Sequence, residues 1–155
     1  MPANTLVREV MTTNVTTLPP ETKFEVAADL LAEKSVGAFP VVDADGRLLG
    51  MLRDDDLIAS EARVHVPTFI NFLGLGMAFP GEMKQLEHEL KKVAGATVGE
   101  VMDTDPPTIA PDATLEDAAT IMHERRVNSL PVVDGGKVVG IVARADIVRF
   151  IARTT

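Results

Sequence analysis

Residues 7–43 read VREVMTTNVTTLPPETKFEVAADLLAEKSVGAFPVVD, and residues 98–134 read VGEVMDTDPPTIAPDATLEDAATIMHERRVNSLPVVD. The two stretches align without a gap at a spacing of 91 residues, and both end in the letters PVVD. Past the following turn the spacing falls to 90, so that Gly50 matches Gly140. A repeated unit of this kind cannot bury its apolar face alone and packs on its neighbour. The sequence therefore predicts two homologous units that form one core region together.

Each copy contains the same predicted helices. Thr22 and Thr114 are each followed three positions later by a carboxylate, the pattern of a helix N-terminus, and apolar residues then recur at helical spacing. A second helix is expected to begin near Asp54 in the first copy and near Arg144 in the second. Each copy therefore predicts one helix before its PVVD segment and one after it.

Between those helices each copy predicts a β-hairpin. Apolar runs at 38–42 and 47–52 are joined by Asp-Ala-Asp-Gly, and runs at 129–133 and 137–142 are joined by Asp-Gly-Gly. The predicted fold class is therefore α/β in the mixed (α+β) sense. Two pseudo-symmetric repeats, each a short strand, a helix, two strands and a helix, are expected to pack sheet to sheet.

The expected domain boundaries follow from the repeat. They are 1–60 for the first repeat, 61–96 for an apolar insert with a linker helix, and 97–155 for the second repeat. The apolar stretch at 64–81 is interrupted by proline and glycine, a poor composition for a membrane span, and 82–95 predicts an amphipathic helix. The insert either covers the core of its own module or, in our hypothesis, docks onto a second subunit or partner, because exposed Phe and Leu residues would reduce solubility.

Composition excludes several classes of function. A net charge of −8 argues against broad binding to nucleic acid or to an anionic membrane, and the lack of cysteine excludes disulfides, thiolate metal sites and cysteine nucleophiles. The three histidines stand in unrelated contexts, and no nucleophile elbow or phosphate-loop lysine motif occurs. The first residues lack the pattern of a secretion signal. We therefore predict a cytoplasmic protein with no metal site, no stable membrane insertion and no enzymatic activity.

The order of Val-x-Glu-Val-Met, a helix, PVVD, a glycine turn and GIVARADIV resembles the cystathionine-β-synthase-type (CBS) domain. The resemblance occurs twice and covers nearly the whole chain outside 60–96. A tandem pair of this family, or Bateman module, implies a cleft between the repeats that binds AMP, ADP, ATP or S-adenosylmethionine as a regulatory ligand. The prediction is a stand-alone, homodimeric regulatory module without a resident cofactor that modulates a protein target. The alternative is a ligand-free scaffold that acts through its insert.

The resemblance places ribose-binding carboxylates at Asp56 and Asp146. Where the family carries Thr or Ser three positions earlier, this chain has Arg53 and Ala143, so a hydroxyl contact to phosphate is lost in both copies. Arg53 and Arg144 would supply cationic donors for phosphate, together with the N–H groups of the helix N-terminus. In the alternative interpretation the acids only stabilise the start of a helix.

The second copy is the better predicted phosphate site. The first has three consecutive acids at 54–56, whereas the second has a single acid, with Arg125 and Arg126 at the preceding helix end. Those two arginines would equally suit a helix C-terminus. The family's base-contacting stretches supply the remaining expected ligand residues: Val15, Thr16, Gly37, Ala38, Phe39 and Pro40, and Pro107, Thr108, Asn128, Ser129, Leu130 and Pro131. For Phe39, Leu130 and the prolines at 40 and 131, the competing interpretation is a place in the core.

Overall fold

The helices and hairpins form a repeated arrangement, and the computed structural model describes residues 4–34, 37–54 and 97–154 of it. The first repeat contains α1 (Phe24–Lys34), β1 (Ala38–Val42) and β2 (Leu48–Arg53). The second contains α2 (Val98–Val101), α3 (Leu115–Arg125), β3 (Ser129–Asp134), β4 (Lys137–Ala143) and α4 (Arg144–Thr154). A short 3-10 helix, Val7–Glu9, opens the first repeat at the position equivalent to α2. The predicted mixed fold class is confirmed, while the insert and the helix expected after Asp54 lie outside the described residues.

The two predicted hairpins are present and share one register. β1 pairs antiparallel with β2, and β3 with β4; in both the register shifts at the same place, after Val41 and after Val132. The short first strand of each repeat is reduced to one parallel bridge, Leu18 with Val41 and Ile109 with Val132. Apart from that reduction, the hairpins lie within one residue of their predicted bounds.

The predicted helix cap is confirmed in the second repeat and wrong in the first. The Thr114 hydroxyl accepts a 3.1 Å hydrogen bond from the Asp117 N–H, and the Asp117 carboxylate accepts one of 3.1 Å from the Thr114 N–H. In the first repeat α1 begins at Phe24, so the residue that precedes the helix is Lys23. Thr22 lies one position too early, because the alignment of the repeats pairs Thr114 with Lys23.

The opening segment of each repeat is buried in the core of the other. Val7 is fully buried in the apolar cluster of the second repeat, and its N–H donates to the carbonyl of Ala113 at 2.8 Å. Val98 is fully buried in the cluster of the first repeat, and its N–H donates to the carbonyl of Thr22 at 2.8 Å. The two repeats therefore exchange their opening segments, and neither core is complete without the other repeat.

The same exchange continues along the free edge of each hairpin. Thr12 and Ile141 exchange backbone hydrogen bonds of 2.9 and 3.0 Å, so the first segment lies beside β4. Asp103 and Met51 exchange bonds of 2.9 and 3.0 Å, which places the equivalent segment beside β2. Each hairpin is therefore bordered along one edge by the opening segment of the other repeat.

Candidate ligand-binding cleft

An open cleft with a volume of about 1240 Å³ lies between the two repeats. From the first repeat it is lined by the segment after Thr12, the start of β1 and the end of β2. From the second it is lined by the residues that follow α3, the start of β3, the end of β4 and the first turns of α4. Both hairpins therefore contribute to a single cavity, together with the segment after Thr12 and the residues that follow α3.

Most of the predicted ligand residues meet in this cleft. Ten of the sixteen line it: Val15, Thr16, Gly37, Ala38, Phe39, Arg53, Asn128, Ser129, Arg144 and Asp146. They come from both repeats and from segments that are far apart in sequence. Their contact with a ligand stays a prediction.

Three of the predicted residues are core residues. Pro40 and Pro131 lie in the middle of β1 and β3 and are fully buried, and Leu130 is 0% exposed in the core of the second repeat. None of the three lines the cleft between the described residues. For these positions the structure agrees with the competing interpretation, which assigned them to the core.

Pro107 and Thr108 also lie away from the described cleft, Pro107 buried and Thr108 exposed. The family resemblance had grouped them with Asn128 and Ser129, which do line the cleft. The opening segment of the first copy instead contributes Val15 and Thr16 to the cavity that Asp146 also lines. Asp56, the other predicted ribose carboxylate, lies outside the described residues.

The carboxylate of Asp146 supports the start of α4 and also lines the cleft. Its Oδ2 accepts a 2.8 Å hydrogen bond from the N–H of Ala143, and its Oδ1 accepts a 2.6 Å bond from Nη2 of Arg149. The residue is only 8% exposed. A carboxylate three residues inside a helix commonly accepts the N–H of the residue before that helix. Asp146 therefore stabilises the start of α4, as in the alternative interpretation, and it also borders the cavity.

Arg53 connects the two repeats across the cleft. From the end of β2 its Nη1 donates to the carbonyl oxygen of Ser129 at 3.3 Å and to the Ser129 hydroxyl at 3.4 Å. The arginine is partly buried and Ser129 is 9% exposed. In the second repeat the equivalent of Arg53 is Ala143, which has no polar side chain. The two halves of the cleft are therefore chemically different despite their similar backbones.

The described lining of the cleft is basic, although the chain as a whole carries a net charge of −8. It contains five basic and two acidic residues: Lys34, Arg53, Arg126, Arg144 and Arg149, and Asp54 and Asp146. Charges of one sign that line a cavity with low-dielectric walls focus the field and attract counter-ions. This part of the surface is therefore suited to an anion.

Two of these cations were missed by sequence reasoning. Arg149 follows Asp146 by three positions on α4, so helical spacing alone signals the pair. Lys34 is aligned with Arg125, which had been named only for the second copy. Arg125 itself does not line the described cleft, and its guanidinium donates to the carbonyl of Asp105 at 3.5 Å.

Neither a metal cluster nor a membrane-spanning helix occurs in the described part of the chain. Within residues 4–34, 37–54 and 97–154, no three His, Asp or Glu side chains are grouped so that they could hold a metal ion. The helices of these ranges are too short or too polar to cross a bilayer. The apolar stretch at 64–81 lies outside them.

Sequence comparison identifies relatives for nearly the whole chain. The model of the CBS domain family matches residues 7–63 and 98–153. The chloroplastic CBS domain-containing protein CBSX1 of Arabidopsis thaliana is 35% identical over 136 residues, which cover 84% of this chain and 56% of the relative. The CBS domain-containing protein YhcV of Bacillus subtilis is 33% identical over 141 residues, which cover 91% of this chain and 81% of that protein.

Structure comparison gives the same result. The crystal structure of Arabidopsis CBSX2 in complex with AMP superimposes with a TM-score of 0.76 at 29% identity, over 97% of this chain and 98% of the other. The matched region spans only 56% and 58% of the full lengths of CBSX1 and CBSX2. The likeness therefore concerns the two repeats and the cleft between them.

Proposed function

Because this chain belongs to the CBS domain family, with two repeats in tandem, we propose that it is a regulatory module that binds an adenine nucleotide in the cleft between them. The observation that carries the proposal is the basic lining of that cleft in an acidic chain. The AMP complex of the similar protein CBSX2 supports it. AMP, ADP and ATP are the proposed ligands, because S-adenosylmethionine is a cation at its sulfonium and is less suited to a basic cavity.

Asp146 is the proposed partner of the ribose. A carboxylate has two oxygens, each with more than one lone pair, and can accept from the 2′ and 3′ hydroxyls together. Its low exposure and its hydrogen bond from the Ala143 N–H hold the group in one orientation. The sugar would therefore meet a carboxylate that the start of α4 has already positioned.

The phosphate is proposed to lie at the N-terminus of α4. The first N–H groups of a helix have no partners within the helix and favour an anion there. Arg144 is the first residue of this 11-residue helix and lines the cleft, as does Lys34 from the end of α1. Because Ala143 has no hydroxyl group, cationic side chains would bind the phosphate in place of a Thr or Ser.

The adenine is proposed to lie against Val15, Thr16 and the start of β1. Gly37 is exposed at the cleft and carries no side chain, so backbone groups there are accessible to a base edge. Phe39 is 2% exposed and so contributes mainly to packing, with only a small surface at the cavity. The base would therefore be recognised largely by backbone groups and aliphatic contacts.

Regulation is proposed to follow from the position of the cleft between two repeats. A ligand can shift the arrangement of the repeats only if it binds one arrangement more tightly than another. The contact of Arg53 with Ser129 crosses the cleft and would change when a phosphate competes for the guanidinium. A homodimer and a protein target that responds to this shift complete the proposal, as do a cytoplasmic location and the absence of catalysis.

Calorimetric titration with AMP, ATP, NADH and S-adenosylmethionine tests the ligand class. We expect heats of binding with AMP and ATP, and we expect Asp146→Asn to weaken binding by roughly ten- to a hundredfold, since a hydrogen bond to a charged group contributes roughly 1.5–3 kcal/mol. The amide keeps an acceptor for the Ala143 N–H, so the start of α4 survives. Asp56→Asn, the equivalent change in the first copy, serves as the matched control and is expected to have the smaller effect.

The second candidate function is a ligand-free scaffold. It is favoured by the replacement of the family's hydroxyl residue by Arg53 and Ala143 in both copies. No heat with any of the four ligands would establish this candidate in place of nucleotide sensing. Sedimentation of the full chain tests the proposed dimer, which a dispersed monomer at high concentration would contradict.

A further inference from the structure

A second groove shares part of its lining with the cleft between the repeats. It has a volume of about 850 Å³ and is lined by α3, the residues that follow it and the first turns of α4. Arg126, Asn128 and Arg144 line both cavities. The N–H of Arg144 donates to the carbonyl of Asn128 at 2.8 Å, which joins the start of α4 to the segment after α3. Two arginines therefore line both cavities.

Arg126 holds this position in an unfavourable backbone conformation. It ends α3 with φ 55° and ψ 47°, and it is the one non-glycine residue with positive φ among residues 4–34, 37–54 and 97–154. Glycine is the usual residue at such a helix end because it adopts the left-handed region without steric cost. Non-glycine residues in this region are found disproportionately at ligand sites. The cation is thus present where the backbone alone would favour glycine.

The position of Arg126 and Arg144 bears on how many phosphates a bound nucleotide carries. We propose, on the basis of the proposed nucleotide function, that Arg126 adds a second cation beside Arg144 and binds the phosphates beyond the first, so that ADP and ATP bind more tightly than AMP. The phosphates of ADP or ATP would extend from the cleft past the two arginines towards the second groove. Glu124 is the only carboxylate among the described residues of that groove, whereas Arg126, Arg144 and His123 line it as well. Each added phosphate increases the negative charge opposite two cations.

The variant Arg126→Gly is expected to remove the positive charge without disturbing the fold. Glycine suits φ 55°, so the variant is expected to keep the thermal unfolding temperature of the parent chain or to raise it. Arg125→Ala is the matched control, since it removes the neighbouring positive charge at a residue that lines neither cavity. The measurement is calorimetric titration of adenosine, AMP, ADP and ATP into the full chain and both variants, without magnesium.

We expect ATP to bind the parent chain more tightly than AMP, and Arg126→Gly to lose roughly three- to tenfold in ATP affinity while AMP affinity changes little. Arg125→Ala is expected to preserve the difference between the two ligands. Equal affinities for AMP and ATP, or a loss of the same size for both in Arg126→Gly, would overturn this inference and leave nucleotide binding standing. Failure of every adenine compound to bind would overturn the proposed function and this inference with it.

Discussion

The carboxylate of Asp146 lies 2.6 Å from the guanidinium of Arg149, one turn further along α4. The same carboxylate accepts the N–H of Ala143, so each of its oxygens has a partner within the chain. A ribose that bound through its 2′ and 3′ hydroxyls would have to share or replace these bonds. The backbone bond is fixed by the helix, whereas the Arg149 side chain is 64% exposed and can turn into solvent. Arg149 is therefore the partner that a sugar would displace.

Removal of Arg149 should strengthen the binding of a neutral ligand. In Arg149→Ala the Oδ1 of Asp146 loses its competing donor, so we expect adenosine to bind about two- to threefold more tightly, the scale of an exposed ion pair. Stability should fall by no more than about 0.5 kcal/mol for the same reason. Calorimetric titration with adenosine and urea unfolding followed by circular dichroism measure the two effects.

Arg153→Ala is the control for Arg149→Ala, since it removes a basic residue from the last turn of the same helix. It does not line the cleft and should leave adenosine binding unchanged. Weaker adenosine binding in Arg149→Ala would show that the arginine contributes to the site directly instead of competing for its carboxylate.

The helix cap of α3 gives a prediction about stability alone. Thr114→Ala removes the hydroxyl that accepts the Asp117 N–H, and we expect a loss of about 1 kcal/mol in the free energy of unfolding. Thr22→Ala should cost much less, because Thr22 does not precede α1 directly and its carbonyl, which accepts the Val98 N–H, is retained. Urea unfolding of both variants checks this. Equal losses would show that Thr22 stabilises α1 after all.

These two threonines show what could be predicted from the sequence. The hairpins and the helix starts at 115 and 144 were predictable because turn residues, apolar alternation and caps are local signals. A capping pattern alone could not distinguish Thr22 from a true cap, since both are followed by a carboxylate three residues on. The alignment of the repeats, which pairs Thr114 with Lys23, carried the missing information.

The composition of the cleft was less predictable. Hydrogen bonds such as that between Thr12 and Ile141 join residues that are distant in sequence, and no local pattern signals them. The sequence consequently included Pro107 and Thr108 among the ligand residues, whereas in the folded chain they lie away from the described cleft. Arg144 and Asn128 line the cleft, because the ends of the strands and helices lie close to their predicted positions.

Two aligned glycines should be required where the exchanged segments pass the hairpins. A Cβ at Gly50 would lie 2.5 Å from the carbonyl oxygen of Asp103, and a Cβ at Gly140 would lie 3.0 Å from that of Thr12. Because backbone cannot yield as a side chain can, we expect Gly50→Ala to cost about 1–3 kcal/mol and Gly140→Ala less. Urea unfolding measures both.

Gly37→Ala is the control for the glycine variants. Among the described residues its added Cβ would meet only the Asp54 carboxylate, at 3.7 Å, an ordinary contact, so the free energy of unfolding should change little. A Gly50→Ala variant as stable as this control would show that the segment around Asp103 is free to move away from β2, which would contradict the tight pairing of Asp103 with Met51.

Because the repeats exchange their opening segments, we expect a substitution in one opening segment to destabilise the core of the other repeat. Val7→Ala and Val98→Ala each remove two methyl groups from a fully buried position, and each should cost about 1–3 kcal/mol in the free energy of unfolding. Val26→Ala, on the exposed side of α1 with 50% of the residue accessible, is the control and should be nearly neutral. Loss of stability alone does not locate the damage.

Amide hydrogen exchange locates it, because protection reports local opening of the backbone. Val7 belongs to the same apolar cluster as Leu115 and Leu130 of the second repeat, so Val7→Ala should speed exchange in 129–143 more than in 38–53. Val98 belongs to the same apolar cluster as Leu18 and Leu52 of the first repeat, so Val98→Ala should have the reverse effect. If each valine instead loosened its own repeat, the cores would be independent, and a ligand in the cleft would have no packed connection through which to couple them. Crossed effects in both variants would mean that a change in the opening segment of one repeat loosens the hairpin of the other repeat. A sensor built from two repeats needs this coupling.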